Sequence, residues 1–462
     1  MIMRFAMNII KSIKKFILGT YTRIFFFSYL GFLMTSSVML YISPSLQAGV
    51  ELSFIDALFT AASALSTTGL STIVVRDTFS LFGQIVLLLI IQIGGLGLIM
   101  MVSLFWLIVR KRIGFKQRNM IMMDQNQLSR EGVVRFVRSV IIVILSIQLV
   151  AFAILYLHFV RTDIFPYGEA LLQAAFLTVS FFTNAGFDIS PEGASLSMFH
   201  GDYVLQSMGM LLIFLGAVGF WPLVELKEFL LAKWHKEKFK FSPFIKLLVI
   251  LHFSIWLLSG LVFYALEHSV LLEGAGIVER LFTSLFMSLT ARNAGFSTVD
   301  VNDMTQSTHI LYLFLMFVGA SPNSAGGGIR TTTLFVAVMS VISFSRGYDT
   351  VVYKEKTIKS ETIRKSFVAL SVAVVFVFTT IFLMSIIDTN PLPELVFEVV
   401  SAFGTTGLSL GITSSLSTAS KILLIITMFV GRVGIVATLL IFKPSTKKKG
   451  SVQYPETEII VG

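Results

Sequence analysis

Long runs of apolar residues, each close to 20 residues in length, set the strongest limit on how this chain can fold. Seven such runs occupy residues 24–43, 81–109, 139–160, 204–223, 247–266, 367–387 and 422–442. An apolar helix of about 20 residues crosses the hydrocarbon core of a bilayer, where no water is available for unpaired backbone groups. Only 13% of the residues are charged, against about a quarter in soluble domains. The chain is therefore predicted to be an all-α integral membrane protein.

An eighth apolar stretch, residues 308–345, is too long for one straight span and is interrupted in its middle. The interruption reads GASPNSAGGGIRTTT and begins at Gly319. Pro322 removes a backbone donor and the glycines weaken a helix, so we expect a break here. Irregular backbone at membrane depth is tolerated where it is buried in protein or faces a water-filled cavity. With this stretch included, the sequence predicts eight spans in the lipid bilayer.

The distribution of charge predicts the orientation of the spans. The N-terminus, residues 110–138, 225–246 and 346–365, and the C-terminal tail carry most of the 36 Lys and Arg residues. Basic connections face the cytoplasm, so the chain is predicted to be a multi-pass protein with both termini cytoplasmic. We expect the N-terminal segment to be retained rather than cleaved. The asymmetry accounts for the net charge of +10 without any binding of nucleic acid.

Four short segments on the predicted outer side resemble one another. They read SALSTTGLS, SFFTNAGFD, SLTARNAGFS and SAFGTTGLS, and their matching glycines are Gly69, Gly186, Gly295 and Gly407. The glycines lie about 110 residues apart, and near-constant spacing indicates an internal repeat. Each segment follows about 12 apolar residues, which are too few to span a bilayer. Acids stand near the start of these apolar runs, at Asp56, Glu169, Glu279 and Glu394, as is favourable at the N-terminus of a helix.

The repeated unit is thus a span, a short re-entrant helix, a glycine-containing loop and a second span. We predict four such units, residues 1–112, 113–235, 236–350 and 351–445, followed by a cytoplasmic tail of residues 446–462. Two spans per unit give all units the same orientation, so they can surround one axis as a pseudo-fourfold pore. Within the second spans, the glycines of GGLGL (94–98) and GAVGFW (216–221) are expected to allow close helix packing.

Four glycine loops that face one another can form a cation filter. A ring of backbone carbonyls replaces the hydration shell of an ion, and glycine adopts the backbone angles that such a loop requires. The predicted filter residues are Thr67, Thr68, Gly69, Asn184, Ala185, Gly186, Asn293, Ala294, Gly295, Thr405, Thr406 and Gly407. For any one loop alone, a tight turn between helices is the alternative. The fragments TTG and NAG resemble the first half of a potassium-channel filter.

The four loops, the interrupted stretch and the ending YPETEIIVG resemble the ion-translocating subunits of Ktr potassium uptake systems, in the Trk/Ktr/HKT superfamily. The resemblance covers essentially the whole chain. It implies four M1–pore helix–M2 units, a homodimer with one pore per subunit, and potassium uptake across the bacterial plasma membrane, often stimulated by sodium. It also implies a cytoplasmic ring of nucleotide-binding regulatory subunits. This chain has no Walker A lysine motif, so we expect it to bind no nucleotide itself.

The interrupted stretch is predicted to be a gate that lies beneath the filter and is moved by the regulatory subunits; a passive kink for packing is the alternative. The residues assigned to the gate are Gly319, Pro322, Gly326, Gly327, Gly328, Arg330 and Arg432. Arg432 lies roughly 37 Å of helix rise beyond the fourth filter glycine. Because an intramembrane charge usually faces a cavity or a partner, it is either an electrostatic barrier in the pore or a member of a buried structural pair.

Two further questions stay open at the level of sequence. Arg292 either pairs with an outer acid and holds the third short helix, or tunes the ion sites. In the superfamily, serine in place of the first loop glycine hints at sodium permeability, so Gly69 favours potassium; a sodium-permeable cation transporter or channel of the same fold is the alternative. An enzyme would need polar catalytic residues clustered at one membrane face, and a scaffold would give no reason for four matched glycine loops.

Overall fold

The computed structural model describes residues 21–97, 100, 133–190 and 195–441. This part of the chain is helical apart from a two-stranded hairpin on the predicted cytoplasmic side. The order of a long helix, a short helix, a loop and another helix recurs four times along it. The predicted tail of residues 446–462 and the last part of the predicted span 81–109 lie outside the described residues.

The helices in chain order are α1 (Tyr21–Tyr41), α2 (Phe54–Ser66), α3 (Val75–Thr78), α4 (Leu81–Leu96), α5 (Val133–Thr162), α6 (Tyr167–Thr183), α7 (Tyr203–Val218), α8 (Phe220–Trp234), α9 (Pro243–Glu267), α10 (Ile277–Asn293), α11 (Gln306–Phe317), α12 (Thr331–Ser345), α13 (Ser360–Ile387), α14 (Leu392–Gly404), α15 (Thr418–Val433) and α16 (Ile435–Ile441). Short 3₁₀ turns occupy Ser43–Ser45, Ser197–Phe199, Val301–Asp303 and Thr413–Ser415. In the hairpin, β1 (Val352–Tyr353) pairs antiparallel with β2 (Lys356–Thr357).

Four of the described helices are long and apolar enough to cross a membrane, and each is the first helix of a unit. These segments are Arg23–Tyr41, Val134–Thr162, Pro243–Glu267 and Ser360–Ile387. The pair α7 and α8, bent by 106°, makes a fifth span if it is counted as one. The second helices of the other units are shorter in the described residues, so the count of eight spans stays a prediction.

The short helices α2, α6, α10 and α14 have the predicted acid in their first turn, at Asp56, Glu169, Glu279 and Glu394. Three of these acids also contact a basic side chain of the preceding unit. The pairs are Arg76 with Glu169 at 2.7 Å, His200 with Glu279 at 2.9 Å, and Lys421 with Asp56 at 2.8 Å. The last pair joins the fourth unit to the first, so these contacts link three of the four pairs of neighbouring units.

The second helices pack against the ends of the short helices without intervening side chains. A methyl group on Gly94, Gly216 or Gly431 would overlap a backbone carbonyl oxygen, that of Leu65, Phe182 or Phe403, respectively. In the first, second and fourth units, this glycine therefore lets the second helix approach the last turn of the short helix of the same unit. The close packing predicted for GGLGL and GAVGFW is confirmed.

The second helices also break more often than the sequence analysis predicted. The runs 204–223 and 422–442 were each predicted as one span, yet each breaks at a glycine, Gly219 or Gly434, and α4 ends at a third, Gly97. Their φ angles are +103°, +89° and +89°, values that a side chain disfavours. A break was predicted for the third unit, where the structure has one, and these further breaks were not predicted. Each of these glycines lies three positions after Gly94, Gly216 or Gly431, so their spacing recurs along the sequence.

Substitution of Gly216 by alanine should destabilise the protein, because the added methyl group overlaps the carbonyl oxygen of Phe182 and overpacking costs about 1–3 kcal/mol or more. Gly31→Ala is the matched control, since Gly31 also lies in a helix and has no atom within 4 Å of the added methyl group. Thermal melting of the purified protein in detergent should show a lower midpoint for Gly216→Ala and no loss for Gly31→Ala. Equal midpoints would contradict the close packing.

Candidate functional site

The four predicted loops meet at one place in the structure. The contacts are Gly69 with Ala185, Gly186 with Ala294, Gly295 with Thr406, and Gly407 with Thr68. A methyl group on Gly69 would lie only 2.7 Å from the carbonyl oxygen of Ala185, and the other three contacts are likewise between a glycine and a carbonyl oxygen. Each loop touches the next one along the chain and the fourth touches the first. The loops therefore form a closed ring in which four carbonyl oxygens lie close together.

The backbone of these loops explains why they contain glycine. The φ angles of Gly69, Gly186, Gly295 and Gly407 are +95°, +68°, +74° and +95°. In three loops the residue two positions earlier is also left-handed, with φ of 54° at Thr67, 54° at Asn184 and 50° at Thr405. The third loop differs, because Asn293 is still helical and its side-chain amide donates to the carbonyl of Gly404 at 2.8 Å. A side chain at any of the four glycines would strain the backbone and would overlap a carbonyl oxygen of the next loop.

A hydroxyl group near the end of each short helix holds the loop that follows it. The Oγ atoms of Ser63 and Ser401 accept hydrogen bonds from the backbone N–H of Gly69 and Gly407, at 3.0 and 3.1 Å. Ser180 Oγ donates to the carbonyl of Phe187 at 2.6 Å, and Thr290 Oγ1 accepts from the N–H of Phe296 at 2.8 Å. Sequence reasoning missed these residues. The available signal was the serine that stands six positions before the loop glycine in three of the four segments.

A cavity of about 580 Å³ opens on the predicted outer side of the ring. Its wall contains the four loop glycines and, two residues after each of them, Ser71, Asp188, Ser297 and Ser409. Asp188 accepts a hydrogen bond from the N–H of Ser190 at 2.9 Å, yet its burial raises the pKa of this carboxyl above the usual value. When it is ionised, Asp188 attracts cations to the entrance of the ring.

The residues assigned to a gate lie on the other side of the ring. The segment from Gly319 to Arg330 connects α11 to α12, and it is mostly buried. Thr67 Oγ1 donates to the carbonyl of Ala325, and the N–H of Gly327 donates to Thr405 Oγ1, both at 2.8 Å. Two residues of the glycine ring thus bond directly to this segment.

Backbone hydrogen bonds also tie the segment to the second helices of two other units. The N–H groups of Ser321 and Ala325 donate to the carbonyls of Ala217 and Gly216, each at 3.2 Å. The carbonyl of Asn323 accepts from the N–H of Phe220 at 2.7 Å, just after the break at Gly219. On the opposite side, the N–H of Gly328 donates to Gly431 at 3.1 Å. The backbone groups freed by the interruption therefore bond to protein, as the sequence analysis required.

Arg292 holds the third short helix through partners other than an outer acid, and whether it also tunes the ion sites stays a prediction. It is buried, and its guanidinium donates to His252 Nδ1 at 2.9 Å, to the carbonyl of His252 at 3.2 Å and to that of Gly319 at 3.3 Å. The expectation of an outer acid as its partner was wrong. Arg292 instead connects the third short helix to α9 and to the first residue of the interrupted segment.

Arg330 and Arg432 lie together at the end of the interrupted segment. Arg330 donates to the carbonyl of Gly326, and more distantly, at 3.5 Å, to the carbonyl of Arg432. The guanidinium of Arg432 donates to the carbonyls of Gly94 and Gly95 in the last turn of α4. A cation is favoured at the C-terminus of a helix, so these contacts hold α15 to α4. Whether Arg432 also acts as a barrier to ions stays a prediction.

Comparison with known proteins agrees with this architecture. The sequence profile of the family described as TrkH, cation transport protein, matches residues 26–451. The Ktr system potassium uptake protein D of Bacillus subtilis is 40% identical over 92% of this chain and 93% of its own length. The potassium/sodium uptake protein NtpJ of Enterococcus hirae is 30% identical, over 90% of this chain and 91% of its own length. The crystal structure of the potassium transporter TrkH from Vibrio parahaemolyticus has a TM-score of 0.72 at 17% identity and covers 92% of this chain and 85% of its own.

The profile match extends over most of the chain, and the relatives are matched almost from end to end. This chain therefore belongs to the TrkH family of cation transport proteins. The structural likeness to the Vibrio protein independently supports the same fold, although the two sequences are only 17% identical.

Proposed function

We propose that this protein takes up potassium ions across the plasma membrane through the ring of four glycine loops, as a pseudo-fourfold pore of eight spans. The single observation that carries the proposal is the closure of that ring, in which each loop glycine touches a carbonyl oxygen of the next loop. Carbonyl oxygens at such a constriction replace the water lost by a dehydrating cation. The Bacillus subtilis relative at 40% identity is named as a potassium uptake protein.

Ions would reach the ring from the outer cavity, which is lined by hydroxyl groups and by Asp188. The twelve filter residues predicted from the sequence are in these four loops, with Gly69, Gly186, Gly295 and Gly407 at the contacts. The short helices end at the loops, and their C-terminal dipoles add negative potential there. These features favour a cation over an anion at the ring.

The segment from Gly319 to Arg330 is proposed as the gate. It lies against the inner side of the ring, bonded to Thr67 and Thr405, where it obstructs the path of an ion. Two neighbouring second helices bend at Gly219 and Gly434, close to its contacts. The helix α12 follows directly and leads to the hairpin on the predicted cytoplasmic side. A regulatory subunit that binds there can move the segment through this 15-residue helix.

The proposed assembly is a homodimer with a cytoplasmic ring of nucleotide-binding regulatory subunits. Two relatives are named as proteins of a Ktr system, B and D of Bacillus subtilis, at 34% and 40% identity. We also propose that sodium stimulates uptake, because the Enterococcus relative is named a potassium/sodium uptake protein. A sodium-permeable transporter of the same fold is the second candidate, and that same relative is the observation that favours it.

Substitution of Gly407 by serine should raise the KM for potassium about tenfold, equivalent to about 1.4 kcal/mol, or admit sodium. The reason is that the new side chain would overlap the carbonyl oxygen of Thr68 while φ stays positive. Gly411→Ser is the matched control, because Gly411 has a φ of +92° in the same loop but open space around it. Rubidium uptake by a potassium-uptake-deficient bacterium, with sodium as competitor, measures both effects. Unchanged affinity and selectivity in Gly407→Ser would contradict the filter.

Removal of residues 322–328 should raise maximal rubidium uptake severalfold and weaken its dependence on the regulatory subunit, while the preference among ions is kept. The deletion removes the backbone N–H groups of Gly327 and Ala325, which bond to Thr405 and Gly216 beneath the ring. A milder variant, Ser324→Ala, loses only the bond from Ser324 Oγ to the carbonyl of Ser321 at 2.6 Å and should give a smaller change in the same direction. Variants that are inserted normally in the membrane but have unchanged flux, or lose only selectivity, would exclude the segment as the gate.

A further inference from the structure

A buried carboxylate lies behind the wall of the outer cavity in the fourth unit. Glu398 is in the middle of α14 and has no exposed surface. Its Oε1 accepts a hydrogen bond from Thr413 Oγ1, which lies 3.0 Å from Ser409 Oγ. Its Oε2 has no hydrogen-bond partner among the described residues. Ser409 and Thr413 line the cavity that leads to Gly407, so the carboxylate is one side chain away from the path of the ions.

With Glu398 ionised, the hydrogen bonds of this cluster form one consistent arrangement around the anion. Thr413 then gives its only hydroxyl proton to the carboxylate and accepts from Ser409. Ser409 Oγ in turn accepts from the N–H of Gly411 at 2.9 Å. In this arrangement each donor of the cluster, from Gly411 through Ser409 to Thr413, is directed towards Glu398. Burial of a carboxylate costs free energy unless the group is paired. Here Oε2 of Glu398 has no hydrogen-bond partner among the described residues.

The packing of the short helix does not require a carboxylate at this position. The matching residues, three positions before the hydroxyl that holds each loop, are Thr60, Leu177, Met287 and Glu398. All four are buried. Leucine and methionine fill the position in the second and third units, so an apolar side chain is sufficient there. The charge of Glu398 therefore has another role.

We propose that Glu398, Ser409 and Thr413 form a binding site for a single sodium ion, reached from the outer cavity and separate from the potassium filter. One carboxylate and two hydroxyl groups supply the oxygen ligands that hard cations prefer. A monovalent ion cancels the single negative charge, whereas a divalent ion would leave a buried positive charge. The proposal rests on the sodium stimulation stated under the proposed function, and it assigns that effect to this chain.

Occupation of the site would act on the filter through a short connection. Ser409 is two residues beyond Gly407 and belongs to the same loop. An ion that draws in the Ser409 and Thr413 oxygens fixes the outer end of this loop, on the side opposite to the bond between Gly407 N–H and Ser401 Oγ. The fourth loop would then be held at both ends, which pre-organises its carbonyls for potassium.

The test uses the purified full-length chain, with sodium itself as the probe. Sodium chloride is titrated against choline chloride at constant potassium, and the thermal midpoint is measured, because a ligand that binds only the folded state raises it. Glu398→Gln should increase the sodium concentration that gives half of the shift by about tenfold or more, since a charged ligand is lost. Thr413→Val, which removes a neutral ligand, should cause a smaller increase, and it serves in place of Glu398→Gln if the latter fails to fold.

Glu267→Gln is the matched control. Glu267 is equally buried, its Oε1 accepts from the N–H and Oγ1 of Thr305 at 2.9 and 2.8 Å, and its Oε2 has no hydrogen-bond partner among the described residues. Its hydroxyl partners do not line the outer cavity. This variant should therefore keep the response of the wild-type protein to sodium, even if its midpoint is lower overall.

Rubidium uptake into proteoliposomes, measured against external sodium, separates this proposal from the proposed function. Loss of sodium stimulation in Glu398→Gln but not in Glu267→Gln supports the site. Failure of the wild-type protein to take up rubidium would refute the proposed function, and the melting experiment would still decide on sodium binding. The site is overturned if sodium gives no shift in the wild-type protein, or if Glu398→Gln and Thr413→Val respond to it at the wild-type concentration.

Discussion

Direct contact between the backbones of four loops is the constraint on which the centre of this protein depends. At each contact a glycine of one loop meets a carbonyl oxygen of the next, and a single methyl group could not be accommodated. Because the four contacts close on themselves, the position of any one loop is determined by two others. The outer ion pairs, such as Lys421 with Asp56, join the same neighbours farther out. The ring thus depends on all four units at once, although they are far apart in the sequence.

The third unit departs from the other three, and its departures belong together. Its short helix ends at Asn293, two positions before the loop glycine, whereas the first short helix ends three positions before its glycine, at Ser66. The Asn293 side-chain amide donates to the carbonyl of Gly404. Gly326 packs against the Asn293 side chain, and Arg292 holds Gly319. The longer helix therefore supplies the contacts that fix the interrupted segment. This departure from the repeat allows the third unit to place backbone beneath the ring.

Patterns that repeat along the chain could be predicted, whereas partners distant in sequence could not. The glycine loops, the first-turn acids and the packing glycines Gly94 and Gly216 recur at matching positions, and the structure has them where they were expected. Arg292 is 40 residues from His252, and no local pattern relates the two. The breaks at Gly219 and Gly434 were missed because a glycine inside an apolar run is compatible with a continuous helix. Only the positive φ at these positions distinguishes a break from a straight span.

The bonds between the interrupted segment and the ring would couple the two proposed tasks, ion selection and gating. Thr67 and Thr405 belong to the loops that would select the ion, and their hydroxyl groups also bond to Ala325 and Gly327. Each such hydrogen bond contributes about 1 kcal/mol net, so a displacement of the segment that breaks several of them needs an external source of free energy. Binding of the proposed partner to the predicted cytoplasmic end of α12 can supply this free energy only by differential affinity for the two positions of the segment. The same bonds, when they are made, brace the inner side of the loops. In the proposed closed state, the segment would therefore stabilise the first and fourth loops, and opening would leave these two loops to be held by Ser63, Ser401 and the contacts with their neighbours.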